Sequence, residues 1–146
     1  MGAKPIPERY TNVIPFLVCN GAGKVIEFCQ KAFDAKISDM HKTDDGTIMH
    51  AAIHIRDSAI MLSDGSPQFP SMPSMLHIYV EDVDSVYKKA IDAGGVSLRE
   101  PTNEFYGDRS CGVKDSSGNQ WWIATHIEDL TPEEIERRQK EMKNKN

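Results

Sequence analysis

Two short strings recur in this chain at one spacing. Lys31-Ala32-Phe33-Asp34-Ala35 returns as Lys89-Ala90-Ile91-Asp92-Ala93, and Ile55-Arg56-Asp57-Ser58 returns as Val113-Lys114-Asp115-Ser116, each 58 positions later. Either match alone is weak, since alanine-rich helix ends are common. Two matches in the same order at the same offset indicate an internal duplication. The chain must then fold as two copies of one module, about residues 10–65 and 75–128.

Each copy reads as a strand, a helix and then antiparallel strands. In the first, Asn12 to Cys19 is apolar and β-rich, and residues 22–33 place Val25, Ile26, Phe28, Cys29, Ala32 and Phe33 at helical spacing. Residues 47–55 and 58–63 alternate around Arg56-Asp57 and predict a hairpin. In the second, residues 75–80 are the strand. The helix runs over 82–95, capped by Asp82 or Asp84 and stopped by Gly94-Gly95. Residues 110–114 and 120–126 flank the turn at Asp115 to Asn119, and a Pro/Ser/Gly-rich linker at 64–74 joins the copies. Residues 1–130 form one domain of two repeats in this reading. Residues 131–146 form a C-terminal helix and tail, opened by a Thr131-Pro132-Glu133-Glu134 capping box and carrying only Ile135 and Met142 as apolar anchors. The fold class is α+β, built from two βαβββ modules.

Composition removes several function classes. The net charge is −5 and no basic stretch gathers, so nucleic acid is not an expected partner. No apolar run reaches membrane-spanning length, and the first ten residues hold no apolar signal core. Met1-Gly2-Ala3-Lys4 opens like a myristoylation site, but position 6 is Ile rather than Ser or Thr. Cys19, Cys29 and Cys111 are odd in number and lack CxxC spacing, which predicts reduced thiols and a cytoplasmic protein. The position of Cys111 near Arg109 raises the question of a reactive thiol. No dinucleotide, phosphate-loop, zinc-protease or serine-hydrolase motif is present, and nothing reads as a cofactor site for methyl transfer.

Strand alternation sorts the side chains into two faces. Met49, Ala51, Ile53 and Ile55 go to the helix side, as do Ile60, Leu62, Leu76, Ile78, Val80, Trp121 and Ile123. The second face then receives His50, Ala52, His54, Met61, Met75, His77, Tyr79, Trp122, Ala124 and His126. Trp121 and Trp122, adjacent in one strand, must point opposite ways, one into a core and one onto this second face.

Paired βαβββ modules resemble the vicinal oxygen chelate superfamily of glyoxalase I, bleomycin-resistance proteins and extradiol dioxygenases. Residues 14–33, 49–64, 79–95 and 106–134 resemble its PhnB-like branch, and the resemblance spans about residues 10–138. It implies an incomplete barrel around a ligand site and a homodimer. Metal-using members take His or Glu ligands from the first and last strands of each module. Those places carry Ile14, Met61, Met75 and Trp122 here, none a normal ligand for a hard divalent cation. No cofactor is therefore expected. Any metal would have to use His50 and His77, since His50 and His54 stand about 13 Å apart along a strand.

Three readings follow. The first is a metal-free small-molecule binder with a concave pocket formed by Trp122, Tyr79, His50, His77, Tyr106 and Met61. Arg109 of the Gly107-Asp108-Arg109 element would clamp a carboxylate or phosphate, or else staple the turn with Asp108. The second is a lyase, isomerase or dioxygenase in which His50 and His77 act as acid/base groups or metal ligands. The third is an interaction protein whose pocket is filled by its own Met and Trp side chains. The expected partners are an unidentified small molecule and a second copy of the chain.

Overall fold

The computed structural model describes residues 2–145. The first module comprises β1 (Phe16–Cys19), α1 (Ala22–Phe33), β2 (Lys36–Lys42), β3 (Ile48–Ile55) and β4 (Ser58–Asp64). The second comprises β5 (Met75–Tyr79), α2 (Val83–Asp92), β6 (Val96–Asn103), β7 (Asp108–Lys114) and β8 (Gln120–His126), and α3 (Pro132–Lys145) follows. Each module forms its own four-stranded sheet, ordered β1-β4-β3-β2 and β5-β8-β7-β6. The first and last strands of a module pair parallel, Phe16 opposite Met61 and Met75 opposite Gln120. The two-module α+β architecture expected from the repeat is present.

One core serves both modules. It takes Val25, Phe28, Cys29 and Phe33 from α1, Leu17, Ile53 and Leu62 from the first sheet, and Val83, Ala90, Val113, Trp121 and Ile123 from the second module. Phe28 and Phe33 pack on the Trp121 ring at centroid distances of 6.2 and 5.1 Å. Gly95 ends α2 so close to the core that an added Cβ would lie 2.4 Å from Val113 and 3.0 Å from Phe28. Both sheets turn one face toward this core, which leaves the other face of each sheet open.

The helix ends are fixed by specific polar contacts. The Asp82 side chain accepts from the Ser85 N–H at 3.2 Å and caps α2 as expected. Gly21, before α1, adopts a left-handed conformation and offers no side chain. Asp64 at the end of β4 does that work from a distance, its two oxygens accepting from the N–H groups of Ala22 (2.7 Å) and Ile48 (2.8 Å). At α3, Thr131 Oγ1 accepts from the Glu134 N–H at 3.1 Å. The capping box is only half formed, because the Glu134 carboxylate is held by Arg137 and Arg138. No residue of α3 is buried.

Two strands escape the period-2 reading. β2 and β6 are the outer strands of their sheets, largely exposed, and each ladder slips in two places. A slip also corrects the face assigned to Met49. His41 pairs with His50 but Lys42 pairs with Ile48, so Met49 is the extra residue of a bulge. Ile48 enters the core instead, and Met49 is 63% exposed.

Removing the Asp64 carboxylate (Asp64→Ala) leaves two backbone donors unpaired, an expected loss of about 1–3 kcal/mol in urea unfolding. All three cysteines are buried. Desolvation pushes Cys19 and Cys111 up to about 11 and raises Cys29 further. A thiol reagent at pH 7.5 should label none of them in the native protein and all three after denaturation, which answers the question raised by Cys111.

Candidate functional site

The open face of the second sheet is assembled by register. Across one row, Arg99 of β6 pairs with Gly112 of β7, Gly112 with Trp122 of β8, and Trp122 with His77 of β5. In the next row Tyr79 pairs with Ala124 and Ala124 with Ser110. Asp108 pairs with His126 at the end. Trp122 thus lies opposite Trp121, as alternation predicts.

Gly112 determines how Trp122 lies. A Cβ there would come within 2.6–2.9 Å of three atoms of the six-membered ring of Trp122, so the indole lies flat against bare backbone. Its Nε1 donates to Gln120 Oε1 at 3.1 Å. The result is a half-exposed aromatic plane fixed on the sheet, flanked by exposed Met75, His77 and Tyr79.

Beside this plane is a charged network. The Tyr79 hydroxyl donates to Asp108 Oδ2 at 2.7 Å, and His126 Nδ1 donates to Oδ1 at 2.8 Å. His126 Nε2 reaches the exposed Asp129 at 2.8 Å. The Asp108 side chain is only 5% exposed. Desolvation opposes its ionisation, but the hydrogen bonds from His126 and Tyr79 outweigh that and hold its carboxyl below the ordinary value. The bond to Asp108, then that to Asp129, raises the His126 imidazole. The bond to Asp108 also raises the Tyr79 phenol. Next to it, the Glu104 carboxylate, 9% exposed, accepts from Ser110 Oγ at 3.1 Å and meets Arg99 at 3.0 Å.

The expected site residues do not all gather here. Trp122, His77 and Tyr79 share this face, and the His77 and Tyr79 rings lie 4.9 Å apart. Tyr106 stands in the adjoining loop, edge-on to Phe105 at 5.2 Å. His50 and Met61 belong to the first sheet. There His50 Nδ1 meets Asp39 at 3.0 Å, the other Asp39 oxygen meets His41 at 3.0 Å, and Phe16, which pairs with Met61, lies beside the His50 ring. His50 and His77 therefore sit in different sheets, His50 held by Asp39 and His77 beside Tyr79. His54 is buried beneath Tyr10, and desolvation, then Arg9, lowers its pKa.

Arg109 requires a correction. Its neighbour Asp108 faces the open side, so Arg109 points toward the helices. There its Nε and Nη2 grip both oxygens of Asp84 on α2 at 2.9 and 3.0 Å, and its Nη1 donates to Asn103. Arg109 staples α2 to the sheet, and the arginine beside Trp122 is Arg99. The leucine bulge in β6, where Ser97 pairs with Val113 but Arg99 with Gly112, rotates Arg99 onto the open face. Asp108, Glu104 and Arg99 were not legible as a group, because charged residues in loops and edge strands normally signify solvent. Only the alternation of β8 pointed to His126.

A cleft of about 1070 Å3 runs between the modules, bordered by the end of α1, the β3–β4 turn, β5 and the start of α2. It shares His77 and Tyr79 with the open face but none of Trp122, Met61, His50 or Arg109. Its mixed charges, Arg56, Asp57, Glu81, Asp82 and Lys89, make it the weaker candidate for selective binding.

Comparison with known proteins agrees with this geometry. The sequence profile of the glyoxalase/bleomycin resistance protein/dioxygenase superfamily matches residues 12–123. The chain belongs to that superfamily. An uncharacterised protein of Mycobacterium bovis is 31% identical over 133 residues, covering 84% of this chain and 88% of the relative. In fold the chain is similar to TioX from Micromonospora sp. ML1, with TM-score 0.68, 19% identity, and 81% and 100% of the two chains covered. It is also similar to a putative 3-demethylubiquinone-9 3-methyltransferase, PhnB protein, from Bacillus cereus, with TM-score 0.65, 21% identity, and 79% and 99% covered.

The metal used by some members of the superfamily does not fit the residues present. Met61 stands opposite Phe16, Met75 opposite Gln120, and the Trp122 indole offers a donor where a ligand must accept. Among the described residues no three His, Cys, Asp or Glu side chains are grouped to hold an ion. No helix of the described chain is long and apolar enough to cross a membrane.

The raised folded-state pKa of His126 sets the sign of its pH dependence. Its network contributes fully below the unfolded value near 6.5 and is lost as pH rises through the higher folded value. A histidine NMR titration should place His126 above 6.5, and Asp108→Asn should bring it down by more than Tyr79→Phe does.

Proposed function

We propose that this protein binds a small molecule, without a metal, on the open face of its second sheet, and that a second copy of the chain closes over that face. The observation that carries the reading is the Trp122 indole laid on Gly112, a fixed aromatic surface kept half exposed in a strand whose other face buries Trp121 and Ile123. Concave sites that combine aromatic walls with a few oriented polar groups are how small ligands are held. Here the polar groups are Arg99, His77, Tyr79 and the Asp108–His126 pair.

Exposure supports closure by a second copy. Met75 (70%), Tyr79 (61%), Met49 (63%) and Phe16 (43%) remain accessible in one chain. Such a concentration of large apolar side chains is typical of a surface that is covered in the working assembly. A pocket plugged by the chain's own side chains would have buried them.

The test combines mass and binding. Light scattering should give twice the mass of one chain. Replacing Trp122 by Ala should weaken any aromatic ligand found by thermal-shift screening at least tenfold, with the circular dichroism spectrum unchanged. A monomer at micromolar concentration, or ligand binding indifferent to Trp122→Ala, would overturn the reading.

A further inference from the structure

The row Arg99–Gly112–Trp122–His77 specifies more than an apolar platform. Arg99 and Trp122 lie two strands apart, about 10 Å between Cα atoms at the usual strand spacing, with only Gly112 between them. The six-membered ring of Trp122 covers Gly112 and so spans the interval toward Arg99. On the other side His77 is exposed beside Tyr79.

Arg99 is prearranged but not used up. The nearly buried Glu104 meets one terminal nitrogen at 3.0 Å, and Glu104 is itself positioned by Ser110. Nε and the other Nη have no partner among the described residues, and the side chain is 48% exposed. A guanidinium fork with two free donors suits a planar oxyanion, which it binds with paired hydrogen bonds. The acidic groups of this face are already engaged, Glu104 by Arg99 and Ser110, and Asp108 by Tyr79 and His126. On the β6 side of the indole the free polar hydrogens are therefore those of Arg99, with the His77 ring, unpartnered among the described residues, on the β5 side.

We infer that the ligand of this face is a planar aromatic anion, an aryl carboxylate or a compound of like shape, stacked on Trp122 with its oxyanion on Arg99. This rests on the reading of the open face as a small-molecule site and names the chemical class that site selects. Stacking supplies sequence-independent affinity for any flat ring, and the guanidinium supplies discrimination by charge.

Calorimetry with three probes of one ring system tests it: 2-naphthoate, 2-naphthylmethanol and 2-naphthylmethylammonium, titrated into the full chain in its native assembly. Naphthoate should bind at least tenfold more tightly than the other two. Arg99→Gln should remove that preference, Arg99→Lys should restore part of it, and Trp122→Ala should weaken all three. A circular dichroism check separates these effects from misfolding, and Arg99→Lys retains a cation opposite Glu104 if the glutamine variant does not fold. Equal binding of naphthylmethanol, tighter binding of the ammonium, or a naphthoate affinity unchanged in Arg99→Gln overturns the anion assignment while leaving the small-molecule face intact. Failure of all three probes to bind overturns both.

Discussion

The rest of the structure depends on Trp121. It is 1% exposed, it belongs to the second module, and the rings packed on it, Phe28 and Phe33, belong to the first. Its indole nitrogen donates at 2.9 Å to Asp115, a buried carboxylate that also accepts from Ser117 and Asn119 and so shapes the β7–β8 turn. A large side chain joined to both a cross-module core and a turn fixes the twist and register of β8. Because successive residues alternate, fixing Trp121 inward fixes Trp122 outward. The open face proposed to bind a ligand is thus oriented by an interaction on the opposite side of the same strand.

The same logic explains which parts of the molecule were legible. Where a strand buries one face against the core, the alternation in sequence is a direct record of the structure. β5, β8 and the end of β3 were therefore sorted correctly, as were the helices with their apolar stripes. Where a strand is an outer one, neither face is strongly selected and bulges interrupt the period. β2 and β6 carry no regular period for this reason, and alternation places Met49 on the wrong side at the bulge opposite His41 and Lys42. On β7 the regular period sends Arg109 to Asp84 and the helices rather than to Trp122. The bulge in β6 delivers Arg99 instead, and a bulge leaves no mark in composition.

The carboxylates illustrate a second limit. Asp108 and Glu104 occur in a charged, turn-like stretch that reads as solvated surface. In the fold their side chains are 5% and 9% exposed. A buried carboxylate needs donors: Asp108 finds them far along the chain in Tyr79 and His126, and Glu104 finds them across the β6–β7 connection in Ser110 and Arg99. No local pattern announces such a network, since each member looks ordinary until the sheet brings four strands together. Its effect on the face is specific. It turns two acids into anchors for Tyr79, His126 and Arg99, and leaves guanidinium hydrogens of Arg99 available beside the indole.

The duplication finally separates scaffold from specificity. The parallel pairs β1–β4 and β5–β8 have matching registers, so Phe16–Met61 corresponds to Met75–Gln120, and Val18–Ser63 to His77–Trp122. The inward positions are alike in kind, Leu17–Leu62 against Leu76–Trp121, because both must fill one core. The outward positions differ: Phe16, Met61, Val18 and Ser63 in the first copy, Met75, Gln120, His77 and Trp122 in the second. Packing into one core demands like side chains on the inward face and makes no such demand on the outward one. Two unlike open faces per chain also constrain assembly. A pair of chains related by a two-fold axis can set the first face of one copy against the second face of the other, twice, which produces two identical sites each walled by both modules. In the proposed dimer, one scaffold repeated in sequence would yield a site with two chemically distinct walls, the wall carrying Trp122 and Arg99 supplying recognition and the wall carrying Phe16 and Met61 supplying cover.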